Sequence, residues 1–168
     1  PLAPLAADAL EMTLAAEAKG VKTQVGFNYL CNPMLTTARE MIQAGELGEI
    51  RGYRGSHCED YMADPAGVWG FRHDPAGGGA LADIGSHALA TAEFLCGPIQ
   101  KVMGDCVTMI GERPDGKGGT RAVEVDDVGR AFLRFENGAT GSIEGNWIAT
   151  GRKMQHDFEV YGTKGALA

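Results

Sequence analysis

Asp83 and His87 are the residues of this sequence whose types and spacing best fit chemistry at a site. A four-residue interval places two side chains on one face of an α-helix, and Gly77-Gly78-Gly79 comes just before them. Glycines let the backbone turn and let a ligand approach closely. An acid near an imidazole suits proton transfer around neutral pH. The pattern predicts a ligand site; the alternative is an exposed pair that stabilises the helix by roughly 0.2–0.5 kcal/mol.

The elements on either side must position this pair. A helix-forming run extends from Ala80 through Leu95, and its apolar residues recur at three- and four-residue spacing, which predicts one buried face. Before it, residues 60–79 form a predicted loop long enough to be functional. Trp69 and Arg72 in this loop are candidates for substrate contact, or else a packed aromatic ring and a surface charge.

The remaining pattern predicts an α+β fold. Residues 4–19, stopped by Gly20, predict a helix, residues 21–27 a strand, and residues 34–44 a second helix. Residues 49–58 are a strand candidate of mixed polarity. After the central helix, period-two alternation predicts strands at residues 100–110, 126–135, 139–148 and 157–161, with a hairpin at Asn137-Gly138. We expect an open, largely antiparallel or mixed β-sheet with helices on one face. Its other face carries few charges, which suggests cover by a partner subunit.

Domain boundaries follow from the first helix and strand. A helix followed by a lone strand is how a β-α-β array ends. Residues 1–28 are therefore predicted to be the tail of a truncated Rossmann domain, with a substrate or catalytic α/β domain at 29–168 that is incomplete at its carboxyl end. The first residue is Pro rather than Met, so we expect a piece of a longer chain.

Three other motifs predict ordinary structural features rather than a ligand site. Gly77-x-Gly79-x-x-Ala82 loosely fits a dinucleotide fingerprint, but it follows no clear strand. Residues 111–117 resemble a phosphate loop, but Gly118 stands where Ser or Thr is required, so a polar hairpin loop is predicted. Asp126-Asp127 predicts a solvated start of a strand.

Composition excludes several classes of partner. The 168 residues have a net charge of −7, without a basic stripe, which argues against nucleic acid and anionic membranes. No apolar run is long enough to span a bilayer. The four cysteines are scattered and lack metal-ligand spacing, so we expect no metal site and free buried thiols in a reducing cytoplasm.

The whole chain resembles the glucose–fructose oxidoreductase/inositol dehydrogenase (Gfo/Idh/MocA) family. The most specific element is Gly77-Gly78-Gly79-Ala80-Leu81-x-Asp83-Ile84-Gly85-x-His87. Weaker elements follow the family's order: Gly26-Phe27-Asn28-Tyr29, Ile42-x-x-Gly45-x-Leu47-Gly48, Gly97-Pro98-Ile99, Val125-Asp126-Asp127, Asn137-Gly138-Ala139 and Tyr161-Gly162-Thr163-Lys164-Gly165.

The resemblance implies an oxidoreductase that transfers hydride between NAD or NADP and a secondary alcohol of a sugar or polyol. His87 would be the general base, and Asp83 would orient its imidazole. Tyr29, His57, Trp69 and Arg72 would line the small-molecule substrate. Pro1 would match the Pro of a Glu-Lys-Pro segment that passes the nicotinamide. The open sheet face would form a homo-oligomer.

Two departures bear on the substrate: Leu30 stands where many members have Arg, and Ala90 where some have an acid. The isolated chain is expected to be inactive, because the phosphate-binding turn is absent. Alternatives are a non-catalytic oligomerisation or ligand-binding domain on the same fold, or a lyase or glycosidase that recycles its NAD.

Overall fold

The protein folds around one mixed β-sheet, as seen in a computed structural model that describes residues 2–3 and 5–168. The helices are α1 (Ala6–Lys19), α2 (Pro33–Gln43) and α3 (Ser86–Cys96). The strands are β1 (Ile50–Cys58), β2 (Ile99–Val107), β3 (Glu112–Pro114), β4 (Thr120–Ala122), β5 (Val128–Phe135), β6 (Thr140–Asn146), β7 (Gln155–Gly162) and β8 (Ala166–Leu167). The predicted α+β class is confirmed.

Six strands form the main sheet in the order β2-β5-β6-β1-β7-β8. β1 runs parallel to β6, and every other neighbouring pair is antiparallel. The hairpin between β5 and β6 turns at Gly138, whose φ of 88° lies in the left-handed region that glycine adopts readily. β3 and β4 form a separate two-stranded ribbon. The hairpin predicted at 111–117 is present, but residues 112–114 are its first strand rather than part of the loop.

The main core lies between one face of the sheet and helices α2 and α3. Leu35 on α2 and Ala88, Ala92 and Leu95 on α3 pack against the sheet, which contributes the residues Tyr53, Leu133, Phe135, Ile143 and Val160. These α3 positions are the apolar face that helical spacing predicted. α1 differs, because none of its 14 residues is buried. Its Leu10 and Leu14 are 59% and 55% exposed.

Residues 21–27 have no strand partner among the described residues, so the predicted strand stays a prediction. Two other expectations about local structure are wrong. The outer sheet face is not poor in charge: Arg130 pairs with Glu144 at 3.0 Å, and Arg54 with Glu159 at 3.7 Å. The four cysteines are free, but only Cys58 and Cys96 are buried, whereas Cys31 and Cys106 are exposed.

A second, smaller core lies at the end of β6. Trp147 is buried there among Val123, Val125 and Ile84. Its indole Nε1 donates to Asp127 over 2.7 Å, and the other carboxylate oxygen accepts from two backbone amides. Asp127 is fully buried, so the prediction of a solvated position is wrong. Three donors compensate for its burial, as a buried carboxylate requires.

Candidate functional site

The segment that carries Asp83 and His87 is not one uniform α-helix. Residues Leu81–Gly85 form a π-helical turn, and α3 follows from Ser86. Asp126 anchors its start, because its Oδ2 accepts from the amide of Leu81 over 2.7 Å and its carbonyl accepts from the amide of Ala80 over 2.9 Å. π-turns often occur at functional sites. Asp126 therefore joins the predicted site helix to the beginning of β5.

Two glycines let the same segment lie directly on the sheet. A Cβ added to Gly145 on β6 would stand 2.8 Å from the Cα of Gly85 and 2.9 Å from its amide nitrogen. No real Cβ tolerates such distances to backbone atoms. The backbone of the π-turn thus touches the backbone of β6, and this contact sets the height of His87 above the sheet.

Asp83 and His87 both line one open cavity of about 380 Å³. The prediction that the two side chains share a face is confirmed. The rest of the wall is mostly small and apolar and comes from three segments: Leu2 and Ala3, Val25 to Phe27, and Pro75 to Gly78 with Ala82 and Ser86. An imidazole and a carboxylate at the wall of a glycine-rich cavity can serve a small polar ligand.

The Asp83 carboxylate is held by the loop at residues 60–79. Its Oδ2 accepts from the hydroxyl of Tyr61 over 2.7 Å and from Nε of Arg72 over 2.8 Å. No hydrogen bond joins Asp83 to His87 within the described chain, contrary to the expectation that Asp83 directly orients the imidazole. A charge-assisted bond is stronger than one to a neutral imidazole, and it also raises the pKa of Arg72. The Asp83 charge raises the pKa of His87 through space, against the larger effect of burial.

The His87 ring belongs to an aromatic cluster, here called the imidazole cluster and defined as Tyr29, His57, His87 and His156. Tyr29 lies at its centre: it stacks on His156 at 4.6 Å between ring centroids and meets His87 and His57 edge-on at 4.9 and 5.4 Å. His57 lies 5.5 Å from His87 and 5.1 Å from His156. The two predicted substrate residues Tyr29 and His57 thus contact the candidate base.

Burial lowers the pKa of two histidines of this cluster. Removal from water, followed by the electrostatic effect of the neighbouring His57, lowers the pKa of His87 from its usual 6.5. The same effects lower the pKa of His156 to about 4. His87 is therefore a neutral imidazole at neutral pH, the form that can accept a proton. Burial, followed by the Glu59 charge, raises the pKa of Tyr29, so its phenol stays protonated.

The other predicted site residues are placed differently. Trp69 packs against the second core; its Nε1 donates to the carbonyl of Ala122 over 3.1 Å, and the Arg121 guanidinium covers its ring at 3.3 Å. It does not line the cavity beside His87. Arg72 reaches the site through Asp83. The predicted cofactor contact Pro1 lies outside the described residues.

Sequence reasoning missed Tyr61, Glu59 and His156. Glu59 hydrogen-bonds His57 at 2.9 Å, and His156 hydrogen-bonds Thr91 at 3.0 Å. The sequence offered one signal for Glu59: residues two apart on a strand share a face, and Glu59 lies two residues after His57. In the described part of the chain, no group of three or more His, Cys, Asp or Glu side chains is arranged to hold a metal ion. Nor does this part contain a helix suited to crossing a bilayer.

Comparison with known families gives a match over most of the chain. Residues 35–168 match the family described as the GFO/IDH/MocA C-terminal domain. Levoglucosan dehydrogenase of Pseudarthrobacter phenanthrenivorans is 35% identical over 182 residues, which cover 99% of this chain and 47% of that protein. The scyllo-inositol 2-dehydrogenase (NAD(+)) of Bacillus subtilis is 30% identical over 166 residues, which cover 94% and 44%.

Solved structures agree with this match. An NAD binding oxidoreductase from Klebsiella pneumoniae superposes with a TM-score of 0.93 at 38% identity, covering 99% of this chain and 45% of that one. Levoglucosan dehydrogenase in complex with NADH and L-sorbose superposes with a TM-score of 0.93 at 36% identity, covering 99% and 44%. The chain spans about half the length of the relatives it matches.

Proposed function

Because the chain belongs to the GFO/IDH/MocA family, we propose that residues 29–168 are the substrate and catalytic domain of an NAD(P)-dependent dehydrogenase. Its substrate class is a sugar, a polyol or a related secondary alcohol. Residues 1–28 are the end of the dinucleotide-binding domain. The exposed leucines of α1 support this division, since an amphipathic helix without a buried residue lacks the surface against which it would pack.

The placement of His87 carries the proposal. It lines an open cavity, its pKa is lowered by burial, and Asp83 shares the same wall. A neutral imidazole there can take the proton of a substrate hydroxyl while hydride leaves the adjacent carbon. Tyr61 and Arg72 both donate to Oδ2 of Asp83, so its Oδ1 can accept a hydrogen bond from a second hydroxyl of the substrate.

The residues present fit one side of a nicotinamide cofactor. Gly26 is among the cavity-lining residues, and a Cβ added there would meet no atom within 4 Å. Gly77 and Gly78 continue this wall next to His87. When bound, NAD or NADP would accept the hydride. NAD is supported by the relatives whose descriptions name it.

The outer sheet face supports assembly with a second copy of the chain. A groove of about 660 Å³ crosses β1, β2, β5, β6 and β7. Phe132 and Met103 stand exposed in it, at 65% and 69%, beside the Arg130–Glu144 pair. Exposed apolar side chains among charges of both signs suit a self-complementary contact. We also propose a cytoplasmic location, because all four cysteines are free thiols.

The test is activity of the full-length protein. NADH or NADPH formation should appear with at least one of levoglucosan, D-xylose, scyllo-inositol or L-sorbose, and His87→Ala should lower kcat by about tenfold or more. The melting temperature of the variant should stay near that of the wild type, because His87 lines a cavity rather than filling the core. A His87→Ala enzyme with unchanged kcat would contradict the proposal. Ligand binding without turnover would favour a non-catalytic domain.

A further inference from the structure

His57 is a buried titratable group for which substrate contact alone gives no account. It is 2% exposed and sits at the end of β1, directly opposite His156 on β7. Its Nε2 hydrogen-bonds Glu59 at 2.9 Å, while its Nδ1 is buried and has no partner in the described chain. Buried polar atoms are normally paired, and an exception deserves an explanation.

The unpaired nitrogen belongs to a group. The Nδ1 atoms of His87 and His156 are also buried without a partner among the described residues. The His57 and His87 rings are tilted by 55° at a centroid separation of 5.5 Å, and their Nδ1 atoms are not hydrogen-bonded to each other. A proton passing between the two rings would therefore need one bridging water molecule. Three imidazole nitrogens around one phenol form a polar patch inside an otherwise apolar wall.

The two histidines beside His87 differ in their hydrogen-bond partners. His156 is bonded to the hydroxyl of Thr91, a group that does not take up a proton at neutral pH. His57 is bonded to Glu59, whose side chain is 15% exposed and so reaches solvent. The charged and titratable groups facing His57 are thus His87 on α3, His156 on β7, Tyr29 on its turn, and Glu59. Of His57 and His156, His57 is the one that is hydrogen-bonded to a carboxylate in the described chain.

We propose that His57 and Glu59 form the exit route for the proton that His87 takes from the substrate. This inference rests on the proposed dehydrogenase function. The substrate O–H bond breaks and its proton binds Nε2 of His87; bound NAD(P)⁺ would take the hydride from the adjacent carbon, which becomes the carbonyl. The Nδ1 proton of His87 passes through one bridging water molecule to Nδ1 of His57, the Nε2 proton of His57 moves to Glu59, and Glu59 releases it to bulk water. One proton and one hydride leave the alcohol, so the reaction balances.

The route matters when cofactor and substrate fill the cavity, because they then cover the open side of His87. Proton loss would otherwise wait for product release. His57 and Glu59 act through His87 and are relay residues rather than groups that touch the reacting atoms.

The test is Glu59→Gln in the full-length enzyme, assayed with saturating cofactor and alcohol. The amide keeps the size of the side chain and can still accept from Nε2, but it cannot take the proton. We expect kcat to fall about tenfold or more, KM to change less than about twofold, and added imidazole buffer to restore most of kcat. Glu59→Asp should retain turnover without added buffer, because it keeps an ionisable group.

Glu136→Gln is the matched control. Glu136 is exposed on the hairpin between β5 and β6, at the sheet end opposite to Cys58 and Asn146. Its variant should show wild-type kcat and no response to buffer. Unchanged kcat in Glu59→Gln, or a loss that buffer does not restore, would overturn the relay. If His87→Ala is impaired in that case, the dehydrogenase function still holds; a wild-type enzyme without activity would refute both.

Discussion

Arg72 and Asp83 join the loop at residues 60–79 to the helix of the site. The guanidinium Nε lies 2.8 Å from Oδ2 of the carboxylate, and the hydroxyl of Tyr61 lies 2.7 Å from the same oxygen. Two donors from one loop thus hold one carboxylate oxygen and leave the other free. This contact fixes the Asp83 side chain before any substrate arrives, which is the benefit of a preorganised site.

Removing these donors should loosen Asp83. Tyr61→Phe and Arg72→Gln in the full-length enzyme should each lower kcat/KM severalfold, because the carboxylate can then rotate. The double variant should lose less than the product of the two single effects, since both donors serve one oxygen. Steady-state kinetics of the three variants measures this. Arg121→Gln is the control, because it removes an ion pair to Asp74 at 3.6 Å and the contact with the Trp69 ring but no bond to Asp83. Strictly multiplicative losses would argue against a shared role.

The contact between Gly85 and Gly145 should tolerate no side chain. Gly145→Ala would place a methyl group 2.8 Å from the Cα of Gly85, so the π-turn must move away from β6. We expect a loss of about 1–3 kcal/mol in the free energy of unfolding, with a lower kcat because His87 shifts. Chemical denaturation and kinetics measure the two effects. Gly165→Ala is the control, because its Cβ would meet no atom within 4 Å. Equal stability of the two variants would refute the close approach.

His156 should make the protein less stable in acid. Its pKa falls from 6.5 to about 4 on folding, because burial and the nearby His57 and His87 disfavour its charge. Between these two values the unfolded chain binds a proton that the folded chain does not, so stability drops as pH falls through this range. Thermal melting over this range should show a shallower decline for His156→Gln than for the wild type. Identical slopes would mean that His156 does not contribute.

The outer sheet face should support self-association. Phe132→Glu introduces a charge at the exposed centre of the groove and should weaken the oligomer by about tenfold or more, because buried aromatic groups dominate interfaces. Light scattering across a dilution series measures the mass. Phe71→Glu, at an equally exposed ring outside the groove, is the control. An oligomer that survives Phe132→Glu, or a wild-type monomer, would exclude this face as the interface.

Local sequence determined the parts of the molecule that short-range physics controls. Helical spacing located the buried face of α3, and the αL preference of glycine marked the end of α1 at Gly20 and the hairpin at Gly138. Period-two alternation located β2, β5, β6 and β7. The four-residue interval also placed Asp83 and His87 on one cavity wall. Each of these features depends on residues fewer than five positions apart, where backbone geometry alone relates side chains.

Tertiary structure alone decided which groups meet at the site. His57, His87 and His156 come from β1, α3 and β7, and their convergence follows from a strand order that places β1 between β6 and β7. The partners of Asp83 lie 11 and 22 residues away in a loop without periodicity. Asp127 is buried because Trp147, 20 residues later, folds over it. No local preference encodes such contacts, because the burial of apolar surface that creates them depends on area and not on sequence separation.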